Sequence, residues 1–387
     1  MQKIRLLNQP EDYRRLGVNQ GPVEIWEDGR RDDDRSGAME WWYFDAVLDD
    51  GTKVVVHFHT KQPATAKSKT PHPQSGLVIT LPDGTVYSDE PFCKPEEMRC
   101  AKEKCEVHFA ENWVTGDLKH YDIHFENKNG IGADLKIDSL SSPWRPGSAY
   151  YDFGDGKYYT WLCAVPKGRL SGTLTYEGKT RQVSGYAYHD HQWLTITSME
   201  DLNNWVWARQ ALGDDYSILN FDIVASKGYD FKRLPIFVVE DKDGKVILEC
   251  TDPGKMEREV LDEYRGHQGK DYPKVTHYKY YSNGMTAEYT LTANHQNYVM
   301  DVLSELPKQT EAKLGKIPGK IATPFITGMM KKNFAKKEIR PSYANYSATG
   351  HLVLTDEKGN TVVDASSELI YEFVFMGLKC REYMETK

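Results

Sequence analysis

The chain has 387 residues, enough for one large domain or two ordinary ones, and its 39% hydrophobic and 27% charged content is that of a folded protein. A formal net charge of -8 argues against a protein built around a polyanion, because neutralising phosphates takes a basic footprint, so nucleic acid is not an expected partner. No apolar run approaches the roughly 20 residues that cross a bilayer, and MQKIRLLNQPEDYRR at the start lacks the apolar stretch of a signal peptide, which makes a cytoplasmic protein the expectation.

Strand signals run along nearly the whole chain as short β-branched and aromatic stretches, often alternating and separated by Asp-Gly or Asn-Gly turns. The first clear hairpin is WWYFDAVLDDGTKVVVHFHT at 41–60, and GLVITLPDGTVYS at 76–88 follows the same pattern. Cys93, Cys100 and Cys105 come next, but with Cys163, Cys250 and Cys380 they lack the paired spacing of a zinc ribbon and read as thiols. SLSSPWRPGS at 139–148 reads as a loop, and the polar SMEDLNN at 198–204 as a joint between domains. Beyond the joint, WVWARQALGDDYSILNFDIVAS opens a fresh hairpin that echoes the one beginning MEWWYF, and LPIFVVEDKDGKVILEC (234–250) and HLVLTDEKGNTVVDA (351–365) continue it. The expectation is an all-β chain of two antiparallel β-barrel domains in tandem, 1–200 and 201–387.

One stretch breaks this pattern. From Pro307 to Arg340 there are nine basic residues and two acidic ones, with Phe325, Ile326, Met329, Met330 and Phe334 at helix-like spacing. A basic amphipathic insert at 307–340 that meets a membrane or caps an apolar cavity is one reading. A helix packed on a barrel by those same apolar residues is the other.

The densest chemistry lies in GYAYHDHQW, residues 185–193. On a strand, period two places Tyr186, Tyr188, Asp190 and Gln192 on one side and Ala187, His189, His191 and Trp193 on the other. An aspartate buried among aromatics has its charged form penalised, so Asp190 can hold a proton near neutrality, oriented by the Tyr188 hydroxyl. His189 and His191 could instead converge on a metal with His57 and His59, but no carboxylate follows at a fitting short spacing, and no metal is expected. A third reading makes His189 and Asp190 a satisfied polar pair at a barrel seam. No phosphate-cradling glycine loop and no G-x-S-x-G elbow occurs, so no cofactor is expected and nucleotide or serine-hydrolase chemistry is disfavoured.

Met39-Glu40-Trp41-Trp42-Tyr43-Phe44 followed by LDDGTKVVVHFH, together with GYAYHDHQW followed by Trp205-Val206-Trp207-Ala208-Arg209, resembles the signature segments of the lipocalin-like carotenoid 1,2-hydratase and AttH superfamily. The resemblance covers about 37–60 and 183–225 and does not reach the insert at 307–340. It implies two lipocalin-like barrels and an apolar pocket, and relatives that hydrate isoprenoid double bonds or fold polyenes in pericyclic reactions. It also implies a Tyr-x-Asp pair at Tyr188 and Asp190, the aspartate being the proton donor to an alkene. Where the carotenoid hydratases carry a His-x-Trp pair about one strand upstream, YYTWLCAVP offers Trp161 and Cys163. The expected substrate is a hydrophobic small molecule. Asp190, Tyr188, His189 and His191 are the expected catalytic residues, and Glu40, Trp42, His57, His59, Trp161, Gln192, Trp193 and Trp205 the expected substrate contacts.

Overall fold

The computed structural model describes residues 3–265, 270–304, 307 and 316–377. Among them the architecture is all-β, built on two curled antiparallel sheets of 14 and nine strands. Of the described residues, 3–196 with 240–245 form one compact unit, and 197–239 with those from 246 to 377 form the other.

Each sheet follows the same plan. In the first, the Met39–Leu48 strand pairs with the next strand in sequence, Lys53–His59, and with the last long strand of the unit, Lys179–Leu194. In the second, Leu202–Leu212 pairs with its successor Tyr216–Ala225 and with the last described strand, Thr361–Gly377. The two segments that echo one another in sequence therefore hold equivalent places, each closing its own meander.

Turn chemistry fixes the hairpins. Asn283 and Gly284 join Asp271–Ser282 to Met285–Asp301 with both residues at positive φ, 50° and 74°. That conformation matches the twist of the flanking strands and suits an Asn-Gly pair.

The alternation of the strands sorts side chains into two cores. The first gathers Trp42, Phe44, Phe58, Leu77, Val107 and Ile123. The second is rich in tyrosine, with Tyr272, Tyr278, Tyr280, Tyr289, Tyr346 and Tyr371 all buried. The described cysteines, Cys93, Cys100, Cys105, Cys163 and Cys250, form no disulfide, and Cys380 lies outside the described residues.

Of the basic insert, residues 308–315 lie outside the described residues, and Lys316–Lys337 is a helix of 22 residues. Phe334 is the apolar side chain it buries, Ile326 and Met330 are half-buried, and Phe325 and Met329 are exposed. The expectation that all five pack on a barrel therefore holds fully for Phe334 alone. No helix among the described residues is long and apolar enough to cross a membrane.

Candidate active site

The Lys179–Leu194 strand carries a different polar group on each of its sides. Ala187, His189 and His191 face the core of the first unit, beside Trp42 and Phe44 of the neighbouring strand. Tyr188, Asp190 and Gln192 lie on the opposite side, in register with Asp45, Tyr43 and Trp41.

Asp190 is the hub of that second side. Its Oδ2 accepts from the Tyr188 hydroxyl at 2.8 Å and from the Trp161 indole at 3.2 Å, and its Oδ1 accepts from the Gln192 amide at 3.1 Å. Gln192 is held in turn by the Tyr159 hydroxyl, which donates to its Oε1 at 3.0 Å. Burial raises the proton affinity of Asp190 above that of an ordinary aspartate, although the donors from Gln192, Tyr188 and Trp161 each oppose the shift. With Oδ2 filled by two donors, Oδ1 has a lone pair free for the proton.

Around this carboxyl the same side of the sheet carries half-buried Trp41, Tyr43, His57 and His59. Asp190 is in register with Tyr43, Tyr43 with His57, and His57 with Gly76. A Cβ on Gly76 would stand 2.2 Å from His57 Nε2, so glycine is what lets the imidazole lie across the strand. The two histidine rings touch edge to face with centroids 4.8 Å apart, and His59 lies 5.5 Å from Trp41. Burial pushes His57 down to about 4 and His59 well below its usual range, which leaves both rings neutral near pH 7.

On the core side the histidines belong to a closed network. His189 lies over Phe44 and His191 over Trp42, with ring centroids 3.9 and 4.6 Å apart. His189 Nδ1 is 3.0 Å from the Tyr43 carbonyl, and its Nε2 is 3.1 Å from Asp28 Oδ2. Asp28 also accepts from the Tyr121 hydroxyl at 2.6 Å, and His191 Nε2 is 2.9 Å from Glu40 Oε1. Trp42 donates its indole hydrogen to the Asp28 carbonyl at 3.0 Å. His189 thus pairs with Asp28 and not with its sequence neighbour Asp190. Among the described residues, Asp28, Cys105 and His189 bring donor atoms within 4.8 Å of one another, the spacing at which a metal ion could be held. The bonds from Tyr121 and His189 already occupy Asp28.

The structure therefore divides the sequence-derived site. Tyr188, Asp190, Gln192 and Trp161 come together, with His57 and His59 two strands away on the same side. His189, His191, Glu40 and Trp42 gather on the other. Trp193 is buried in a small cluster with Leu118, Ala149 and Leu162 and donates to the Tyr150 hydroxyl at 2.7 Å. Trp205 is half-buried on Leu202–Leu212 of the second unit. Asp28, Tyr121 and Tyr159 are participants that sequence reasoning missed. The histidine that Asp28 meets lies 161 positions along the chain, and nothing in IWEDG marks it.

Two curled antiparallel sheets, the first bearing a buried carboxyl among aromatic side chains, define a lipocalin-like β protein. The chain belongs to the AttH-like family, whose model matches residues 31–306. A protein of Nitrosomonas europaea assigned to AttH superposes with a TM-score of 0.59 at 14% identity, over 92% of this chain and 97% of its own. CghA, solved with Sch210972, gives 0.60 at 14% identity over 97% and 98%. Kievitone hydratase from Nectria haematococca gives 0.51 at 12% over 92% and 96%. No curated protein matches the chain in a sequence search.

Proposed function

We propose that the protein is a cofactor-independent enzyme that protonates a carbon-carbon double bond of a long hydrophobic substrate, with Asp190 as the acid. The observation that carries this reading is the Asp190 carboxyl itself, buried, raised in proton affinity and steadied by Tyr188, Trp161 and Gln192. Membership of the AttH-like family and likeness in fold to a hydratase support it.

In the reaction, Asp190 Oδ1 gives its proton to one alkene carbon and leaves a carbocation on the other. Tyr43 and Trp41 lie on the same side of the sheet, in register with Asp190 and Gln192, and a desolvated cation gains about 2 kcal/mol from the face of such a ring. Capture by water, with loss of one water proton to the Asp190 carboxylate, completes hydration. Loss of a proton from a neighbouring carbon to the same carboxylate completes isomerisation instead. Either route returns Asp190 to its starting state.

A second reading keeps the site and drops the transfer: protonated Asp190 donates a hydrogen bond that activates one partner of a pericyclic cyclisation, a reaction that the family resemblance also implies among relatives. The experiment is incubation of the pure protein with a cellular lipid extract in deuterated water, followed by mass spectrometry of wild type and Asp190→Asn. Proton transfer predicts a lipid that gains deuterium with wild type only. A lipid converted without deuterium uptake moves the weight to cyclisation. One that co-purifies unchanged with both proteins makes the chain a lipophilic carrier and ends the enzymatic reading.

A further inference from the structure

The Lys316–Lys337 helix has a surface that the first-unit chemistry does not use. Ile317, Ile321, Phe325 and Met329 are 75%, 76%, 77% and 59% exposed, and the first three are the most exposed large apolar side chains among the described residues. They are spaced by four. Each step of four turns about 400° around the axis, so successive side chains drift by about 40° and the set covers one arc about 120° wide. The stripe then continues along the same face as Lys332 and Lys336, three and seven residues beyond Met329. The opposite face is the one that packs: Phe334 is buried, and Thr323, Ile326 and Met330 are half-buried.

Charge singles out the same helix. It contains no aspartate or glutamate, and the segment 307–340 has nine basic residues against two acidic ones in a chain of net charge -8. Lys337 is engaged with Glu200 at 2.8 Å. Lys320, Lys331, Lys332 and Lys336 are exposed along the flanks and the C-terminal end of the stripe.

Exposed apolar side chains on one arc of a helix, bordered by lysines and by no acid, match an anionic bilayer surface. The apolar arc enters the acyl boundary while the lysine stems reach back to the headgroups. We propose that the Lys316–Lys337 helix docks the protein on an anionic membrane, apolar stripe inward. The inference is independent of the chemistry at Asp190, and either can fail without the other. It gives a hydrophobic substrate a source, since molecules of that class partition into the bilayer on which the helix would lie.

The test is flotation of the full chain with vesicles of phosphatidylcholine alone or with about one third phosphatidylserine. Wild type is expected to float with the anionic vesicles at least tenfold more than with the neutral ones. The exposed pair Ile321→Asp and Phe325→Asp is expected to lose that binding at least tenfold, as is the pair Lys331→Glu and Lys332→Glu, with unchanged circular dichroism. Phe325→Trp is expected to shift its emission to the blue on adding anionic vesicles. Absence of flotation by wild type, or equal flotation of wild type and the Asp pair, overturns the proposal. So does a stripe that instead forms a dimer, broken by the same substitutions with no vesicle binding.

Discussion

Asp190 is decided by two opposed effects on one side chain. Three donors favour the carboxylate and burial favours the acid, and burial wins. Removing a donor should therefore move the balance further. Tyr188→Phe deletes the 2.8 Å bond to Oδ2, so the alkaline limb of the rate profile is expected at higher pH than in wild type, with a lower plateau because the acid is weaker and less fixed. An unchanged limb would mean that another group supplies the proton. Asp190→Asn keeps the shape and loses the acid, and its turnover is expected to drop about 10²–10⁴-fold, the usual contribution of a positioned general acid. The same variant should melt higher than wild type above the ordinary aspartate range, because it no longer has a carboxylate to bury as the pH rises.

The β-strand converts a nine-residue motif into two unrelated sites. Period two was readable in GYAYHDHQW, and so was the grouping of Tyr188, Asp190 and Gln192 on one side. The hairpins were readable for a local reason as well, since Asp-Gly and Asn-Gly turns and alternating strands are short-range signals. What the strand meets was not readable. Asp28 and Tyr121 close the histidine network from 161 and 68 positions away, and contacts of that range follow from sheet order and not from spacing. The row from Asp190 through Tyr43 and His57 to Gly76 is of this kind, spanning four strands. It makes a testable unit. Gly76→Ala must displace the His57 ring, whose Nε2 would lie 2.2 Å from the new Cβ. If the glycine acts by letting His57 lie flat against the substrate side, Gly76→Ala and His57→Ala should each raise KM, and the double variant should be no worse than His57→Ala alone. Additive effects would separate the two residues.

Across the whole molecule the shifted groups pull stability in opposite directions with pH. His57 and His59 titrate below 6.5 when folded, His57 near 4, so the unfolded chain binds more protons over about pH 4–6.5 and their burial makes stability rise with pH. Asp32 does the reverse. Burial is the main cause that lifts it from 3.8 to about 7, with Glu40 adding like charge, so the folded chain binds the extra proton and stability falls as pH rises between those values. Asp190 acts in the same sense as Asp32. Two smaller surface terms also oppose each other, with His108 lowered by partial burial and His124 raised by Asp134 and Glu126 against its own desolvation. Between pH 4 and 6.5, His57 and His59 therefore make stability rise and Asp32 and Asp190 make it fall. Each contribution can be isolated. Asp32→Asn removes one descending contribution, so its melting temperature should rise with pH more steeply than that of wild type across this window. His57→Gln removes one ascending contribution and should give a slope less positive than that of wild type. Parallel curves for both variants and wild type would show that these side chains are not titrating as their surroundings require. At the acid end, the guanidinium of Arg5 holds Asp12 down to about 2, and the stability that pair contributes is present above 3.8 and lost as the pH falls from there toward 2. Asp12→Asn and Arg5→Gln should therefore both melt lower than wild type above about pH 3.8, with the difference closing as the pH falls toward 2.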